Sequence, residues 1–342
     1  MTDQLDLRLG EYTPAVERAV RELLTSAPEH AGLYEMIRYH LGWSEAPDTE
    51  PQDGGKRLRS ALCLLVAETA GGDWRSALPA AAAVELVHNF SLIHDDIEDV
   101  SQFRRHRETV WAKWGEAQAL NAGDALLIIS HQALFETDPR LSADVAVAAY
   151  RILSAACRAL CEGQYLDLLW EGGPTVALDA YLGMVERKTA RLFACAAELG
   201  ALCGGAAMVH QEGFSQFARA LGMAFQVADD ILGVWSPQSE TGKPEALDIV
   251  TRKKALPATL ALGSPDSPRV RRFQEIFDLP RSLDPAEAGE AIQLLDELGI
   301  RAQASAYLAG FRAEALGHLD QVAPGSPGQP LRDLIEEALP AV

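Results

Sequence analysis

The chain is short of the features that mark secretion, nucleic-acid binding or a structural metal. Its 342 residues include only five cysteines, Cys63, Cys157, Cys161, Cys195 and Cys203. An odd number leaves one thiol over in any disulfide scheme, and no CxxC pair occurs. Cys157 and Cys161 stand at helical i,i+4 spacing, yet no cysteine or histidine partners complete a zinc set around them. Buried thiols in a reducing, cytoplasmic setting are the plain reading. Basic residues are scarce too: 30 Lys and Arg face 49 Asp and Glu, a formal net charge of −19. Without a basic stripe a phosphodiester backbone has nothing to bind, so nucleic acid is excluded as the main partner. Apolar runs are broken well short of bilayer length and residues 1–30 lack a signal-peptide core, so no membrane span is expected. No polar–apolar alternation is long enough to argue for strands. The Gly-Gly-Lys at 54–56 is no P-loop, because Glu50 stands where that loop needs glycine and Arg57 where it needs Ser or Thr.

What is present is helical periodicity, nearly everywhere. Segments 12–26, 58–70, 76–100, 117–135, 142–170, 177–203, 211–235, 252–262, 287–296 and 301–322 are rich in Ala, Leu, Glu and Arg, with apolar residues recurring every three or four positions. Clusters of Gly, Pro, Ser and Asp at 45–55, 70–72, 171–175, 236–244 and 323–330 read as the loops between them. The expectation is a single all-α domain over residues 1–342, with too many helices for a four-helix bundle.

An aspartate-rich helical pattern occurs twice, SLIHDDIED at 91–99 and FQVADDILG at 225–233. Asp95 and Asp99 lie four residues apart, so on a helix they share a face, where two carboxylates repel unless a cation lies between them. Asp229 and Asp230 come from the distant copy. Carboxylates are hard oxygen ligands of the kind Mg²⁺ takes together with substrate phosphates. Basic residues recur beside them: Lys56, Arg57 and Arg59 in GGKRLRS, Arg104 and Arg105 after the first motif, Lys188 in VERKTARLF, Lys243 in TGKP, Lys253 and Lys254 in TRKKALP. Each alone is an ordinary solvated residue. Together they suit a magnesium–diphosphate site.

GGKRLRS, HNFSLIHDDIED with RR behind it, NAGD, EGQYLDL, KTARLF, and FQVADDILG followed by GKP and KKALP resemble, in order and over about residues 50–320, the trans-isoprenyl diphosphate synthase (polyprenyl synthetase) family. The resemblance implies the isoprenoid synthase fold, a helical barrel around a central cavity, usually a homodimer. It implies a prenyltransferase that joins an allylic diphosphate to isopentenyl diphosphate with three Mg²⁺ ions. By position Asp95, Asp99 and Asp229 are similar to the metal ligands, with Asp96 and Asp230 as their supports. Arg104, Lys188, Lys253 and the flap lysine Lys243 match the allylic diphosphate site. Lys56, Arg59, His88 and Arg105 match the isopentenyl diphosphate pocket, and Thr189 and Gln226 the surroundings of the nascent cation.

The sequence also departs from the family pattern. Gly233 stands where many members have a third aspartate, and Ser60 where a proline often closes the first motif. The first motif lacks a two-residue insertion after Asp96 and so resembles the short-motif branch. Phe90 and Ser91 lie five and four residues before Asp95, one turn down a helix toward the cavity floor. An aromatic at the farther position alone goes, in the resembling family, with a C20 product, so geranylgeranyl diphosphate is expected rather than farnesyl diphosphate. Two other functions fit the fold: a terpene cyclase, which would need no pocket for a second substrate, and a non-catalytic subunit, which would need no intact aspartates.

Overall fold

The computed structural model describes residues 2–25, 28–43, 57–105, 107–171, 175–236 and 246–339. Lys56 and Lys243, two of the expected substrate lysines, lie outside the described residues. Helices dominate: α1 Thr2–Leu23, α2 Ala31–His40, α3 Leu58–Thr69, α4 Leu78–Glu98, α5 Val110–Trp114, α6 Glu116–Glu136, α7 Ala143–Trp170, α8 Leu178–Val185, α9 Arg191–Cys203, α10 Met208–Trp235, α11 Leu247–Val250, α12 Leu256–Leu262, α13 Pro268–Phe277, α14 Pro285–Glu297, α15 Ile300–Val322 and α16 Gln329–Ala338.

Every expected helical segment is helical in whole or in large part, and the additions are instructive. Helix α13 begins with Ser267, whose side chain accepts from the Val270 N–H, followed by Pro268 at its first position. Its start signal is plain, but the charged run RVRR hides the apolar stripe. Helix α14 opens with a capping box between Asp284 and Glu287. The fold is all-α as expected, with one two-residue antiparallel ribbon that pairs Phe103–Arg104 with Arg107–Glu108 and is too short for any periodicity to register. The expected helix 177–203 is interrupted by a π turn at Glu186–Ala190.

The described residues form two compact units. The first comprises Met1–Cys157, Cys195–Ser215 and Val322–Leu334, the second Arg158–Ala194, Gln216–Gln321 and Ile335–Val342. In the first unit α4 is the central helix, and Ala80 to Ala83, Val84, Leu86 and Val87 are completely buried. Contrary to the reading from run lengths, Trp74–Glu98 is long and apolar enough to cross a bilayer, but 78% of that window is buried inside the protein. It is a core helix whose last turn carries the first aspartate motif. In the second unit α10 packs Phe225 against Phe193 at 5.4 Å between ring centres, and α13 stacks Phe273 on Phe277 at 4.7 Å. Burying a side chain of that size contributes about 1.5–3 kcal/mol, which holds these helices without help from their modest polar contacts. All five cysteines are free thiols.

Candidate active site

In the first unit, Asp95 is half-buried and Asp99 exposed, one turn apart at the end of α4. Asp96 turns away from them and is 2% exposed. Its Oδ1 accepts a hydrogen bond from Arg104 Nε at 2.8 Å, while its Oδ2 is buried with no hydrogen-bond partner among the described residues. Burial pushes the Asp96 carboxyl up to about 6, against the pull of Arg104 and with the push of Asp95 and Asp99. The short ribbon supplies the reach, folding Arg104 back over the last turn of α4. Trp111 Nε1 and Thr109 Oγ1 both donate to the Ser101 carbonyl at 2.8 Å and pin the start of that ribbon. Val100, ahead of the ribbon, and Arg105, in its turn, have left-handed backbones with φ of 52° and 50°. For a β-branched valine that is a strained geometry, costing on the order of 1–3 kcal/mol and typical of functional segments.

Behind the motif lies a cluster of cations. Arg59 Nη1 is 3.3 Å from His88 Nε2. Burial, then Arg59, Arg105, Arg104 and His40, hold the His88 imidazole well below its ordinary value. His40, at the end of α2, is lowered to about 3 by burial and by Arg104, Arg105 and Arg107, with Asn89 acting the other way. Burial brings even the Arg59 guanidinium down to about 10, despite Glu85. Four arginines, Arg59, Arg104, Arg105 and Arg107, thus converge around two neutral imidazoles. That concentration of positive potential in a low-dielectric setting is what an anion with no metal of its own requires. The Ser60 departure has a structural use here, since its hydroxyl lies 3.0 Å from the Arg57 carbonyl and 2.9 Å from Glu85 Oε2, tying the first basic motif to α4. Arg57 itself is paired with Glu17 at 2.7 Å.

In the second unit, Asp229 is exposed on α10 and Asp230 beside it is 3% exposed. Asp230 accepts from the Tyr181 hydroxyl, from Gln226 Nε2 at 2.9 Å and from the Leu256 N–H at 2.8 Å. Burial and the neighbouring Asp248 push its carboxyl up to about 6 against those donors. Thr189 Oγ1 donates to Gln226 Oε1 at 2.8 Å. Lys188 and Thr189 sit on the π turn, where the extra residue per turn redirects side chains; such turns are frequent at functional sites. The glycine of EGQYLDL allows the approach, for a Cβ on Gly163 would fall 2.3 Å from the Lys188 backbone nitrogen. Lys188 Nζ is 2.6 Å from Asp167 Oδ2, and Lys253 Nζ is 4.0 Å from the same oxygen. Burial raises the Asp167 carboxyl, but Lys253 and Lys188 more than offset it and hold it below the usual range. At the Gly233 departure, a Cβ would meet Asp248 Oδ2 at 2.4 Å. The carboxylate of Asp248 lies against position 233, one turn beyond Asp229, and would have to swing aside to admit a side chain there.

Among the described residues no group of three or more His, Cys, Asp or Glu side chains is gathered into a ready-made metal cage. In the first unit the half-buried Asp95 and exposed Asp99, and separately in the second unit the exposed Asp229, are carboxylates of the kind that suits a hard cation taking its remaining ligands from phosphate and water. Sequence reasoning missed His40, Asp167 and Tyr181. Asp167 lay inside a quoted motif without a role, whereas His40 carries no local signal, because only the fold brings α2 to the arginines.

The sequence pattern described as Polyprenyl synthetase matches residues 44–295. The chain belongs to that family. A (2E,6E)-farnesyl diphosphate synthase of Mycobacterium tuberculosis is 42% identical over 95% of this chain and 90% of its own length. A geranylgeranyl diphosphate synthase of the same species is 38% identical over 86% and 82%. Among solved structures, a polyprenyl synthetase from Streptomyces coelicolor superimposes with a TM-score of 0.89 at 34% identity, covering 99% of this chain and 100% of that one. Geranylgeranyl pyrophosphate synthetase from Pyrococcus horikoshii gives 0.88 at 30%, covering 99% of each. The all-α isoprenoid synthase fold implied by the motifs is therefore that of this polyprenyl synthetase.

Proposed function

We propose that this enzyme is a short-chain trans-prenyltransferase that condenses an allylic diphosphate with isopentenyl diphosphate and releases geranylgeranyl diphosphate. The observation that carries the reading is the cation cluster of Arg59, Arg104 and Arg105 around His40 and His88. Such a pocket answers a second diphosphate, which a cyclase does not use. Asp95, Asp99 and Asp229 would hold Mg²⁺, three ions in all. Bound there, the ions would supply electrostatic stabilisation of the departing diphosphate. Lys188, Lys253 and Arg104 add fixed positive charge for that leaving group, joined by the flap lysine Lys243, while Lys56 joins the isopentenyl diphosphate pocket; both of these lysines lie outside the described residues. Arg59, His88 and Arg105 orient isopentenyl diphosphate. As the allylic carbon–oxygen bond breaks, the double bond of isopentenyl diphosphate forms the new carbon–carbon bond. The condensed product then loses a proton to the released diphosphate acting as base. Thr189 and Gln226 face the allylic group.

Product length rests on Phe90 and Ser91. Phe90 is 4% exposed and meets His94 edge-on at 5.4 Å, while the Ser91 hydroxyl donates to the His88 carbonyl at 2.8 Å. An aromatic at 90 with a small residue at 91 supports C20; the relative at 42% identity, named for farnesyl diphosphate, favours C15. Incubation with Mg²⁺, isopentenyl diphosphate and each allylic starter, followed by chromatography of the dephosphorylated products, decides between them. A C20 alcohol is expected, with longer products from Phe90→Ala and C15 from Ser91→Phe. Absence of any linear product would refute prenyl transfer itself.

A homodimer is part of the same proposal. Leu120, Ile128 and Phe135 recur along one stripe of α6 at 46%, 61% and 47% exposure, beside Val147 and Tyr150 of α7 at 47% and 45%. Apolar residues gathered this way suit a self-complementary interface between two copies. Light scattering on Ile128→Glu should show the loss of a dimer. The free thiols suit the cytoplasm.

A further inference from the structure

Tyr181 is fully buried on α8, and its hydroxyl donates to Asp230 of α10. The carboxylate receiving it also accepts from the Leu256 N–H at the start of α12, so three elements meet on one side chain. Its other oxygen takes the Gln226 amide N–H at 2.9 Å. Because a carboxylate can only accept there, the Gln226 amide is turned with its NH₂ toward Asp230 and its carbonyl oxygen toward Thr189. That oxygen in turn accepts the Thr189 hydroxyl proton at 2.8 Å. Proton direction is therefore set along the whole chain, from Thr189 to Gln226 to Asp230, with Tyr181 closing it from the far side.

We propose that Tyr181 is a positioning residue for prenyl transfer: through Asp230 and Gln226 it commits the Thr189 proton inward, so that the threonine oxygen offers lone pairs to the developing allylic cation. This rests on the reading of Thr189 and Gln226 as neighbours of the allylic group. A hydroxyl dipole aimed with its oxygen at positive charge stabilises it, and one aimed with its hydrogen opposes it; preorganisation of such dipoles is effective because nothing need reorient as charge appears. Without the Tyr181 hydroxyl, Asp230 keeps only the Leu256 N–H on that oxygen, and its carboxylate, still the acceptor for Gln226, is held less firmly in place, so the Gln226–Thr189 pair loses its fixed position. The effect belongs to the transition state, not to diphosphate binding.

The test uses the full chain, with single-turnover rates and Michaelis constants for Tyr181→Phe, Asp230→Asn and Thr189→Val, alone and combined, and wild-type turnover measured alongside as a separate check on the function. Tyr181→Phe should slow the chemical step about tenfold while both Michaelis constants stay within about threefold of wild type, the pattern of an interaction made only in the transition state. In the Thr189→Val background the same substitution should cost less than about twofold, because the relay then has nothing to orient. A Tyr181→Phe rate within twofold of wild type, or an equal loss in both backgrounds, overturns the proposal. Should Tyr181→Phe fail to fold by circular dichroism, Asp230→Asn carries the same comparison, and loss of the fold in both would assign the clasp to packing alone and overturn it as well.

Discussion

The two units treat positive charge in opposite ways. In the first, burial keeps His88 and His40 neutral, with Arg104 and Arg105 pushing on both and Arg59 on His88, and burial brings Arg59 itself down to about 10. In the second, Lys188 and Lys253 share the carboxylate of Asp167, which they hold ionised. The first arrangement stores unfavourable electrostatic energy that an incoming anion releases. The second stores none, and its lysines have to exchange one anionic partner for another. A substrate that arrives bare suits the first; one whose charge is shared with metal cations suits the second. Asp96 links the two styles, since it holds Arg104 by one oxygen and leaves the other unsatisfied.

The largest effect should come from the aspartates that make the second style possible. Asp95→Ala, Asp99→Ala and Asp229→Ala are each expected to lower kcat on the order of 10²-fold or more, roughly 3 kcal/mol of lost transition-state stabilisation, with unchanged helical circular dichroism. Asp96→Ala should behave differently, moving Arg104 and so substrate binding as well. Steady-state kinetics on the four variants checks this, and near-normal turnover in the first three would remove the metal assignment.

How legible this was depended on whether the signal is local. The aspartates, GGKRLRS and KTARLF are contiguous, so their residue types and spacing expose them. His40 reaches the arginines only because α2 folds toward α4, and the clasp of Tyr181 on Asp230 joins residues 49 positions apart. The π turn beneath Lys188 is likewise invisible to a 3.6-residue periodicity, which runs through it unbroken. The ribbon at 103–108 is too brief for any pattern, yet it aims Arg104. Sequence thus shows what the site is made of, and tertiary packing decides which charges neutralise one another.

A smaller effect tests the first style through pH. A histidine whose folded value lies below its unfolded one binds fewer protons when folded, so its contribution is full above about 6.5 and is lost as pH falls. With His40 lowered to about 3, its neutral burial should cost about 2 kcal/mol by pH 5 relative to pH 7.5. Asp96 and Asp230, raised to about 6, act in the opposite sense, their protonated forms favouring the fold below that value. The clean measurement is therefore the difference between wild type and His40→Gln in urea unfolding at each pH. That difference should shift by about 2 kcal/mol over this range, and inorganic diphosphate should shrink the shift by letting the imidazole protonate beside it. A flat difference would mean that burial and the neighbouring arginines do not hold His40 neutral.

The smallest effect separates the two styles by substrate. Arg59→Ala removes a cation from the crowded cluster, relieving His88 while weakening the anion pocket, so the Michaelis constant for isopentenyl diphosphate should rise about tenfold, near 1.4 kcal/mol, with that for the allylic partner almost unchanged. His88→Ala should move the same constant in the same direction. Lys253→Ala should do the reverse, and less, because Lys188 remains at 2.6 Å from Asp167 to serve the allylic diphosphate. Partial rescue is expected from Asp167→Asn combined with Lys253→Ala, since the remaining lysine no longer has a carboxylate to leave. Initial rates over a matrix of both substrates give both Michaelis constants for each of the four variants, and equal changes in both for Arg59→Ala would show that the two cation groups serve one common anion instead of two.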